Sequence, residues 1–365
     1  MSGDSFPKFK AAAVQAEPVP LDREATVDKA CSLIEEAGRN GAKVIAFPEG
    51  FIPGHPDWLY FYPPDEAMKR FYRDFFKNCV EVPSQATDQL GRAAKKAGAY
   101  VAIGINERTP GSMGSLFNSI LFLGPDGNVL GVHRKLVPTT TERLVLSAGD
   151  GSTLNVYPTP YGELGGLMCG ENTNSLAKFA LLAQGEKIHT AHWPAYPAEY
   201  NRGGIDGQDI RIRYHAYEGK CFVISSASVF GDASIERLCV TEQARSLVLK
   251  GNAVSGIVNP YGKYIGGPLR GDEGIVYADI DLDVMIDAKT LHDVVGHYNR
   301  FDVLSLQYNR KSPRPISFGG DGAEGASKEE LLTQLRAALR MLESEGRDAD
   351  APQIGQIRGL LSNNS

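Results

Sequence analysis

One cysteine of the chain stands where a short apolar run meets a polar turn. The run at residues 164–168 ends at Cys169, and Gly-Glu-Asn follows at residues 170–172. A cysteine attacks an electrophile as the thiolate, so it needs a base or a cation beside it. The histidines nearest to it in sequence, His189 and His192, are three residues apart and point to opposite faces of a strand. We therefore expect them to share neither a metal ion nor a catalytic task. Activation of the thiol by a histidine is the alternative, and activation by another base is the interpretation developed below.

A glutamate and a lysine occupy the same kind of position at the ends of two other predicted strands. Glu49 lies just past the strand at residues 43–47, and Lys135 follows a hairpin strand at residues 129–133. Strands of one sheet that stop at the same edge would bring Glu49, Lys135 and Cys169 together. A glutamate can act as general base for a thiol, and a lysine can stabilise a developing anion. Each residue alone is typical of a solvated strand end, but the joint pattern predicts a catalytic centre.

Helical and strand patterns alternate along most of the sequence. The alternation predicts a layered α/β fold, and a Gly-Pro-Asp-Gly-Asn turn between two short strands makes the sheet mixed. The predicted strands lie at residues 9–15, 43–47, 100–105, 119–123, 129–133, 188–192 and 221–225, and the predicted helices at residues 23–38, 85–97, 176–184 and 209–218.

Two further patterns are interpreted as structural. Residues 279–283 resemble the start of a calcium loop, but Val284 occupies the position that needs glycine. Their alternating apolar residues predict an outer strand instead. Cys221 lies within an apolar strand and is predicted to be an inert core thiol.

The bulk composition excludes several classes of function. The chain has 365 residues and a formal net charge of −6, which gives no basic surface for nucleic acid. It has no apolar leader and no run of about 18 apolar residues, so we expect neither secretion nor a membrane partner. The five cysteines are scattered, without CxxC spacing. This is typical of reduced thiols, and we expect a cytoplasmic protein.

The composition changes near residue 318. A glycine-rich stretch leads to a capping-box sequence at residues 327–330, which opens a helix with an apolar stripe. We predict one main domain over residues 1–317 and an appended tail over residues 318–365 with one amphipathic helix. Docking of this helix on the main domain is the simpler interpretation, and a role in subunit assembly is the alternative.

Three segments of the chain, FPEGF, HRKLVPTTTERL and GGLMCGEN, resemble in this order the signature segments of the nitrilase superfamily of carbon–nitrogen hydrolases. The similarity covers about residues 9–310 and includes HWPA and YEGKCFVISSAS. RKLVPTTTERL and GHYNRFDVL resemble the nitrilase branch rather than the amidases. The resemblance implies a four-layer αββα sandwich with mixed sheets. It also implies a homodimer or a larger homo-oligomer, including spirals.

The resemblance implies roles for four residues. Cys169 corresponds to the nucleophile, Glu49 to the general base and later acid, Lys135 to the cation that stabilises the anion, and Glu142 to a second glutamate that orients the lysine and the substrate. The implied reaction is hydrolysis of a small-molecule nitrile to a carboxylic acid and ammonia through a thioimidate and a thioester, with no metal and no cofactor. An amidase acting on a small amide is the alternative, and a catalytically silent scaffold is a second one.

The sequence departs from the family pattern next to the nucleophile. Many nitrilases have tryptophan after the cysteine, and this chain has Gly170. The glycine either enlarges the pocket or relaxes the turn so that its N–H points inward. We expect a bulky or branched nitrile as substrate, with Gly170, Trp193, Phe51 and Tyr60 as the substrate-binding residues. Packing in the core is the alternative for the three aromatic residues.

Overall fold

The computed structural model describes residues 3–196 and 204–313 of the chain. Its strands are β1 (Lys8–Gln15), β2 (Ala42–Ala46), β3 (Tyr100–Arg108), β4 (Leu116–Leu123), β5 (Val129–Arg134), β6 (Glu163–Met168), β7 (Glu186–Trp193), β8 (Phe222–Ala227), β9 (Val254–Val258), β10 (Tyr264–Arg270) and β11 (Gly274–Asp281). Its α-helices are α1 (Arg23–Arg39), α2 (Trp58–Phe61), α3 (Pro64–Ala67), α4 (Arg73–Asn78), α5 (Gln85–Ala97), α6 (Ser175–Ala183), α7 (Gly204–Gly219), α8 (Asp232–Leu238), α9 (Glu242–Ser246) and α10 (Asp283–Lys289). The tail predicted over residues 318–365 lies outside the described residues.

The strands form two mixed sheets. The first has six strands in the order β11-β1-β2-β3-β4-β5, and the second has five in the order β10-β9-β8-β7-β6. In the first sheet β1, β2 and β3 pair in parallel, and the other pairs are antiparallel. In the second sheet β6, β7 and β8 are parallel, and β9 and β10 add antiparallel hairpin strands. The parallel strands lie in the middle of the first sheet, where both of their faces are covered. Their sequences are accordingly nearly continuous apolar runs.

The two sheets pack face to face, with helices on their outer sides. Side chains of both sheets, such as Val44 and Phe122 from the first and Ile188 and Ile224 from the second, share one buried core. Helices α1 and α5 cover the other face of the first sheet through a second core. Helices α6 and α7 pack on the second sheet. The described residues therefore form the four-layer αββα sandwich that the sequence predicts.

Local capping fixes the starts of α1 and α6, which pack on the first and the second sheet. The Asp22 carboxylate accepts a hydrogen bond from the backbone N–H of Ala25 and starts α1. The Asn174 side chain accepts from the backbone N–H of Leu176 and of Ala177 at the start of α6, which directly follows the cysteine turn. Such caps satisfy N–H groups that have no partner within the helix.

The strands and helices predicted within the described residues are observed with end points shifted by up to five residues, as at the start of α7. The outer strand predicted at residues 279–283 is confirmed as the end of β11, an edge strand of the first sheet, although Asp283 already opens α10. The segment α2–α4 was not predicted. It forms an aromatic cluster with α8 and α9, in which Trp58 packs on Phe71 and Phe75. None of the helices in the described ranges combines the length and the apolar character that crossing a lipid bilayer requires.

Candidate active site

Three strand ends meet between the two sheets. Glu49 lies three residues after β2, Lys135 directly follows β5, and Cys169 directly follows β6. The prediction that these strands belong to one sheet is wrong, because β6 belongs to the second sheet. The residues meet because the sheets pack face to face and these strand ends lie on the same side. Lys135 Nζ is 2.7 Å from Glu49 Oε1, and both side chains are fully buried.

Lys135 is held between two carboxylates. Its Nζ is also 3.0 Å from Oε1 and 2.9 Å from Oε2 of Glu142, which lies in the 3-10 turn Thr140–Leu144. Burial alone would lower the pKa of Lys135, but Glu49 and Glu142 outweigh it and hold the pKa well above its ordinary value. Burial also opposes ionisation of Glu142, but Lys135 and a neighbouring imidazole lower its pKa to about 2. The lysine is therefore a fixed cation, and Glu142 is a fixed anion.

Glu49 has the properties of a general base. Its Oε1 accepts hydrogen bonds from Lys135 and from the side-chain amide of Asn118, at 2.7 Å each. Its Oε2 is buried and has no hydrogen-bond partner within the described part of the chain. Burial raises the pKa of Glu49, and Lys135 only partly opposes this rise. One oxygen is thus anchored, and the other is free to take a proton from a group in the site.

Cys169 sits in a strained position at the end of β6. Its φ is +41°, in the left-handed region, which costs a non-glycine residue about 1–3 kcal/mol. The Asn172 side chain stabilises this turn by donating to the carbonyls of Leu167 and Cys169. Burial raises the pKa of the Cys169 thiol to about 12, Glu49 adds to the rise, and Lys135 opposes it. At neutral pH the thiol is therefore protonated, and its attack requires a base.

Glu171 joins the lysine strand to the cysteine strand. Its Oε1 accepts a 2.7 Å hydrogen bond from the backbone N–H of Leu136, and its Oε2 accepts a 3.0 Å bond from that of Met168. His133 Nε2 lies 3.1 Å from Oε2. The carboxylate thus fixes the residue after Lys135 relative to the residue before Cys169.

The two histidines of β7 face opposite sides, as the sequence predicts. His189 Nε2 lies 2.9 Å from Asn172 Oδ1, and its Nδ1 lies 2.8 Å from Glu186. His192 Nδ1 instead lies 2.6 Å from the carbonyl of Phe47. Burial lowers the pKa of both imidazoles to about 3, so neither is a cation at neutral pH. They support the turn and the sheets rather than form a cysteine–histidine pair.

The comparisons with known proteins agree with this geometry. A family model described as carbon-nitrogen hydrolase matches residues 10–290. A protein named nitrilase from Bacillus sp. (strain OxB-1) is 39% identical over 92% of this chain and 99% of its own. An aliphatic nitrilase from Rhodococcus rhodochrous is 39% identical over 85% of each chain. The chain belongs to the carbon–nitrogen hydrolase family. The family expected from the sequence is confirmed.

A solved structure supports the fold independently. Nit3 of Saccharomyces cerevisiae, a member of the nitrilase superfamily, matches with a TM-score of 0.63 at 22% sequence identity, over 80% of this chain and 97% of its own. At this identity the likeness concerns the fold alone. In the present chain, the four residues Glu49, Lys135, Glu142 and Cys169 lie where its two sheets meet.

The structure separates the two interpretations of Gly170 in this family member. Positive φ falls on Cys169, and Gly170 is absent from the glycines with positive φ. A Cβ added at Gly170 would meet only Thr139 Oγ1, at 3.4 Å, which is an ordinary contact. The backbone therefore does not require glycine here, which argues against the interpretation that glycine is needed to relax the turn.

The three aromatic candidates have different surroundings. The Phe51 ring is fully buried in the core between the first sheet and α1 and α5, with its centroid 5.5 Å from that of Phe47. Trp193 is fully buried between the sheets, and its Nε1 donates to Ser225 Oγ at 3.0 Å. Its carbonyl accepts a 3.2 Å hydrogen bond from the N–H of Glu49. Phe51 and Trp193 thus pack in the core of this carbon–nitrogen hydrolase.

Tyr60 lies closer to the charged groups. Its hydroxyl is beside Thr140 and Thr141, in the turn that carries Glu142, and burial is the main cause that raises its pKa. A residue that the sequence analysis missed, Tyr196, is buried with its hydroxyl 3.9 Å from Cys169 Sγ. Its position in the sequence, three residues after β7, gave no periodic signal.

Two groups of side chains in the described residues have donor sets that could suit a metal ion. The first is Glu49, His55 and Glu142, but the ammonium of Lys135 already lies between the two carboxylates and supplies the positive charge there. The second is Glu186, His215 and Cys221, a buried group away from the catalytic thiol. Glu186 is already hydrogen-bonded to two imidazoles.

Proposed function

We propose that this protein hydrolyses an organic nitrile to the carboxylic acid and ammonia through a covalent intermediate on Cys169. The observation that carries the proposal is a thiol at a strained turn, beside a glutamate with one unpartnered oxygen and a lysine held between two carboxylates. The names and the 39% identity of the two nitrilase relatives support the same substrate class.

The first step forms a thioimidate. Glu49 takes the proton of the thiol while Cys169 Sγ bonds to the nitrile carbon. One of the two π bonds of the nitrile breaks, its electron pair moves to nitrogen, and nitrogen receives the proton. Lys135 and the backbone N–H of Gly170 stabilise the charge that develops on nitrogen. The raised pKa of Glu49 matches the role, because burial makes this carboxylate a stronger base than an ordinary one.

The following steps release the products. Glu49 activates a water that adds to the thioimidate carbon, and the tetrahedral intermediate expels ammonia after nitrogen has been protonated. A thioester remains on Cys169. A second water releases the carboxylic acid and restores the thiol, so two waters are consumed for each nitrile. If the tetrahedral intermediate expels the thiol first, the product is the amide. Glu142 holds Lys135 in place throughout.

We further propose that the site accepts bulky or branched nitriles. Gly170 leaves free the volume that a tryptophan would fill, and only Thr139 Oγ1 lies within 4 Å of an added Cβ. Tyr60 and Tyr196 are the aromatic residues whose positions support contact with the substrate. Trp193 and Phe51 would act by supporting the backbone around Glu49.

We also propose a cytoplasmic homo-oligomer. All five cysteines are unpaired, which suits a reducing compartment. The outer helices α6 and α7 expose apolar side chains, Leu176, Ile210, Tyr214 and Tyr217, which support a subunit contact. Light scattering during size-exclusion chromatography should give twice the chain mass or a multiple of it. A monomer at all protein concentrations would contradict the assembly.

The test of the activity is ammonia release from a panel of nitriles and the matching amides. Turnover of nitriles without turnover of the amides, lost in Cys169→Ala with the fold retained, is the expected result. Turnover of amides alone would move the protein to the amidases and contradict the proposed substrate class. Unchanged turnover by Cys169→Ala would contradict the proposed nucleophile.

A further inference from the structure

A histidine that the known chemistry does not use lies next to the catalytic charges. The loop after Glu49 turns back on itself through Gly50 and Gly54, both with positive φ (53° and 101°). The Asn106 side chain donates to the carbonyls of both glycines. A Cβ added at Gly50 would come within 3.2 Å of the Cα of His55, so the loop is closed tightly. The chain therefore returns His55 to the buried site from which the loop started.

Both ring nitrogens of His55 face carboxylates. Nδ1 is 2.7 Å from Asp57 Oδ1, and Nε2 is 3.5 Å from Glu142 Oε1. All three side chains are buried. Nδ1 is within hydrogen-bond distance of Asp57, whereas Nε2 makes no hydrogen bond within the described residues and faces Glu142 at ion-pair distance. Carboxylates on both sides of the ring favour its protonated, imidazolium form. Burial opposes this state, but Asp57 and Glu142 outweigh it and raise the pKa of His55 to about 10.

The buried charges form an alternating chain. The carboxylates of Asp57, Glu142 and Glu49 alternate with the cations of His55 and Lys135. The other titratable groups around the chain are the hydroxyls of Tyr60 and Tyr196 and the thiols of Cys169 and Cys239, which are neutral because burial raises the pKa of each. Burial also raises the pKa of Asp57, and the neighbouring His55 opposes this rise. His55 supplies one of the two positive charges, so its charge acts on both catalytic carboxylates.

We propose that His55 and Asp57 are a positioning pair that keeps Glu142 ionised and aligned on Lys135, and thereby sets the lower pH limit at which Glu49 and Cys169 react. The proposal rests on the proposed function for the roles of Glu49 and Cys169. Without the imidazolium, two buried carboxylates would share one lysine. One of them would then hold a proton to a higher pH, and Glu49 would be a base over a narrower range.

The experiment compares wild type, His55→Gln and Asp57→Asn, with His215→Gln as the control. His215 is equally buried and bonded to a glutamate, Glu186, but does not touch the four catalytic residues. Two pH profiles are measured from pH 5 to 10. One is kcat/KM for nitrile hydrolysis, and the other is the rate at which iodoacetamide alkylates Cys169, read from its peptide by mass spectrometry. Circular dichroism checks the fold of each variant.

His55→Gln should move the acid limb of both profiles up by about one pH unit or more, because a cation within a few ångströms is lost. Asp57→Asn should leave the acid limb in place, since His55 stays protonated at low pH. At higher pH, where the imidazole becomes neutral, both kcat/KM and the alkylation rate should fall below the wild-type values. His215→Gln should keep the wild-type profiles. The proposal is overturned if the pH profiles of His55→Gln have the same shape as those of wild type and differ only in height. It is also overturned if the profiles of Asp57→Asn are unchanged at high pH.

The two readouts separate this proposal from the proposed function. Alkylation of Cys169 reports the charges of the site without any nitrile. If wild type releases no ammonia from nitriles, the proposed function fails, and the alkylation profiles still decide the role of the pair. If His55→Gln does not fold, Asp57→Asn decides it alone through its upper limb.

Discussion

Glu171 is bonded to the strand that carries the lysine, although it lies in the turn that carries the cysteine. Its Oε1 accepts a 2.7 Å hydrogen bond from the backbone N–H of Leu136, 35 residues earlier in the chain. The other oxygen accepts from Met168 N–H. This buried carboxylate crosses between the two sheets, so it fixes the distance between Lys135 and Cys169.

The first prediction concerns this carboxylate. Glu171→Gln replaces one of the two carboxylate oxygens by an NH₂ group, which cannot accept a hydrogen bond. One of the two backbone N–H groups, of Leu136 or of Met168, therefore loses its partner. We expect a loss of about 1–3 kcal/mol in the free energy of unfolding, measured with urea, and a lower kcat. Glu163→Gln is the control, because this partly exposed carboxylate pairs with Lys187 on the surface. Equal losses in both variants would contradict the bridging role.

The second prediction concerns the buried cation. Lys135→Met removes the cation that lies between Glu49 and Glu142 and leaves His55, beside Glu142, as their one remaining counter-charge among the described residues. We expect a loss of about 3–5 kcal/mol in the free energy of unfolding, because unpaired buried charges are costly. Lys178→Met is the matched control. Lys178 is as buried as Lys135, but its partner Glu218 is 28% exposed and can be solvated. Chemical denaturation of both variants should show the larger loss at Lys135, and the reverse order would contradict the account.

The third prediction concerns the volume beside the nucleophile. Gly170→Trp should lower kcat/KM for bulky nitriles relative to small ones by about tenfold or more, because the indole fills the proposed pocket. Gly170→Ala should have little effect, since its Cβ meets only Thr139 Oγ1 at 3.4 Å. Kinetics on a size series of nitriles measures both. An unchanged preference in Gly170→Trp would show that this residue does not set the pocket size.

The fourth prediction concerns alkaline stability. The thiol of Cys169 has its pKa raised from 9.0 to about 12 in the folded protein. Above about pH 9 the unfolded chain releases this proton first, so the folded state loses stability as the pH rises. The free energy of unfolding of wild type should therefore fall relative to that of Cys169→Ser from pH 8 to pH 10.5, since serine does not titrate there. A constant difference in denaturant titrations would show that folding does not raise the pKa of this thiol.

The sequence singled out three of the four candidate catalytic residues because each of them follows a strand end, whereas Glu142 came from the family resemblance. Glu49, Lys135 and Cys169 stand past apolar strands, and hydrophobic periodicity locates such strands well. The sequence could not assign the strands to one sheet or two, because a parallel strand has the same pattern in either. The interpretation of one shared sheet edge was therefore wrong, although the residues do meet.

The sequence did not predict the residues that act through loops. His55 and Asp57 reach the site only because Gly50 and Gly54 reverse the chain, and a sequence pattern does not give the direction in which such a loop returns. The signal that could have found them is the spacing His-Pro-Asp shortly after the catalytic glutamate. Helices α2 and α3 have four residues each, too few to show a helical period.

The central claim is that Cys169 carries an acyl group during nitrile hydrolysis. The most direct test is mass spectrometry of the Cys169 peptide after acid quench of wild type during turnover of a nitrile, with ammonia release followed in wild type and Cys169→Ala. The account predicts an acyl adduct on Cys169 that disappears when the nitrile is consumed. It also predicts a loss of on the order of 10³-fold or more in ammonia release by Cys169→Ala. An adduct on another residue, or ammonia release by Cys169→Ala at the wild-type rate, would contradict it.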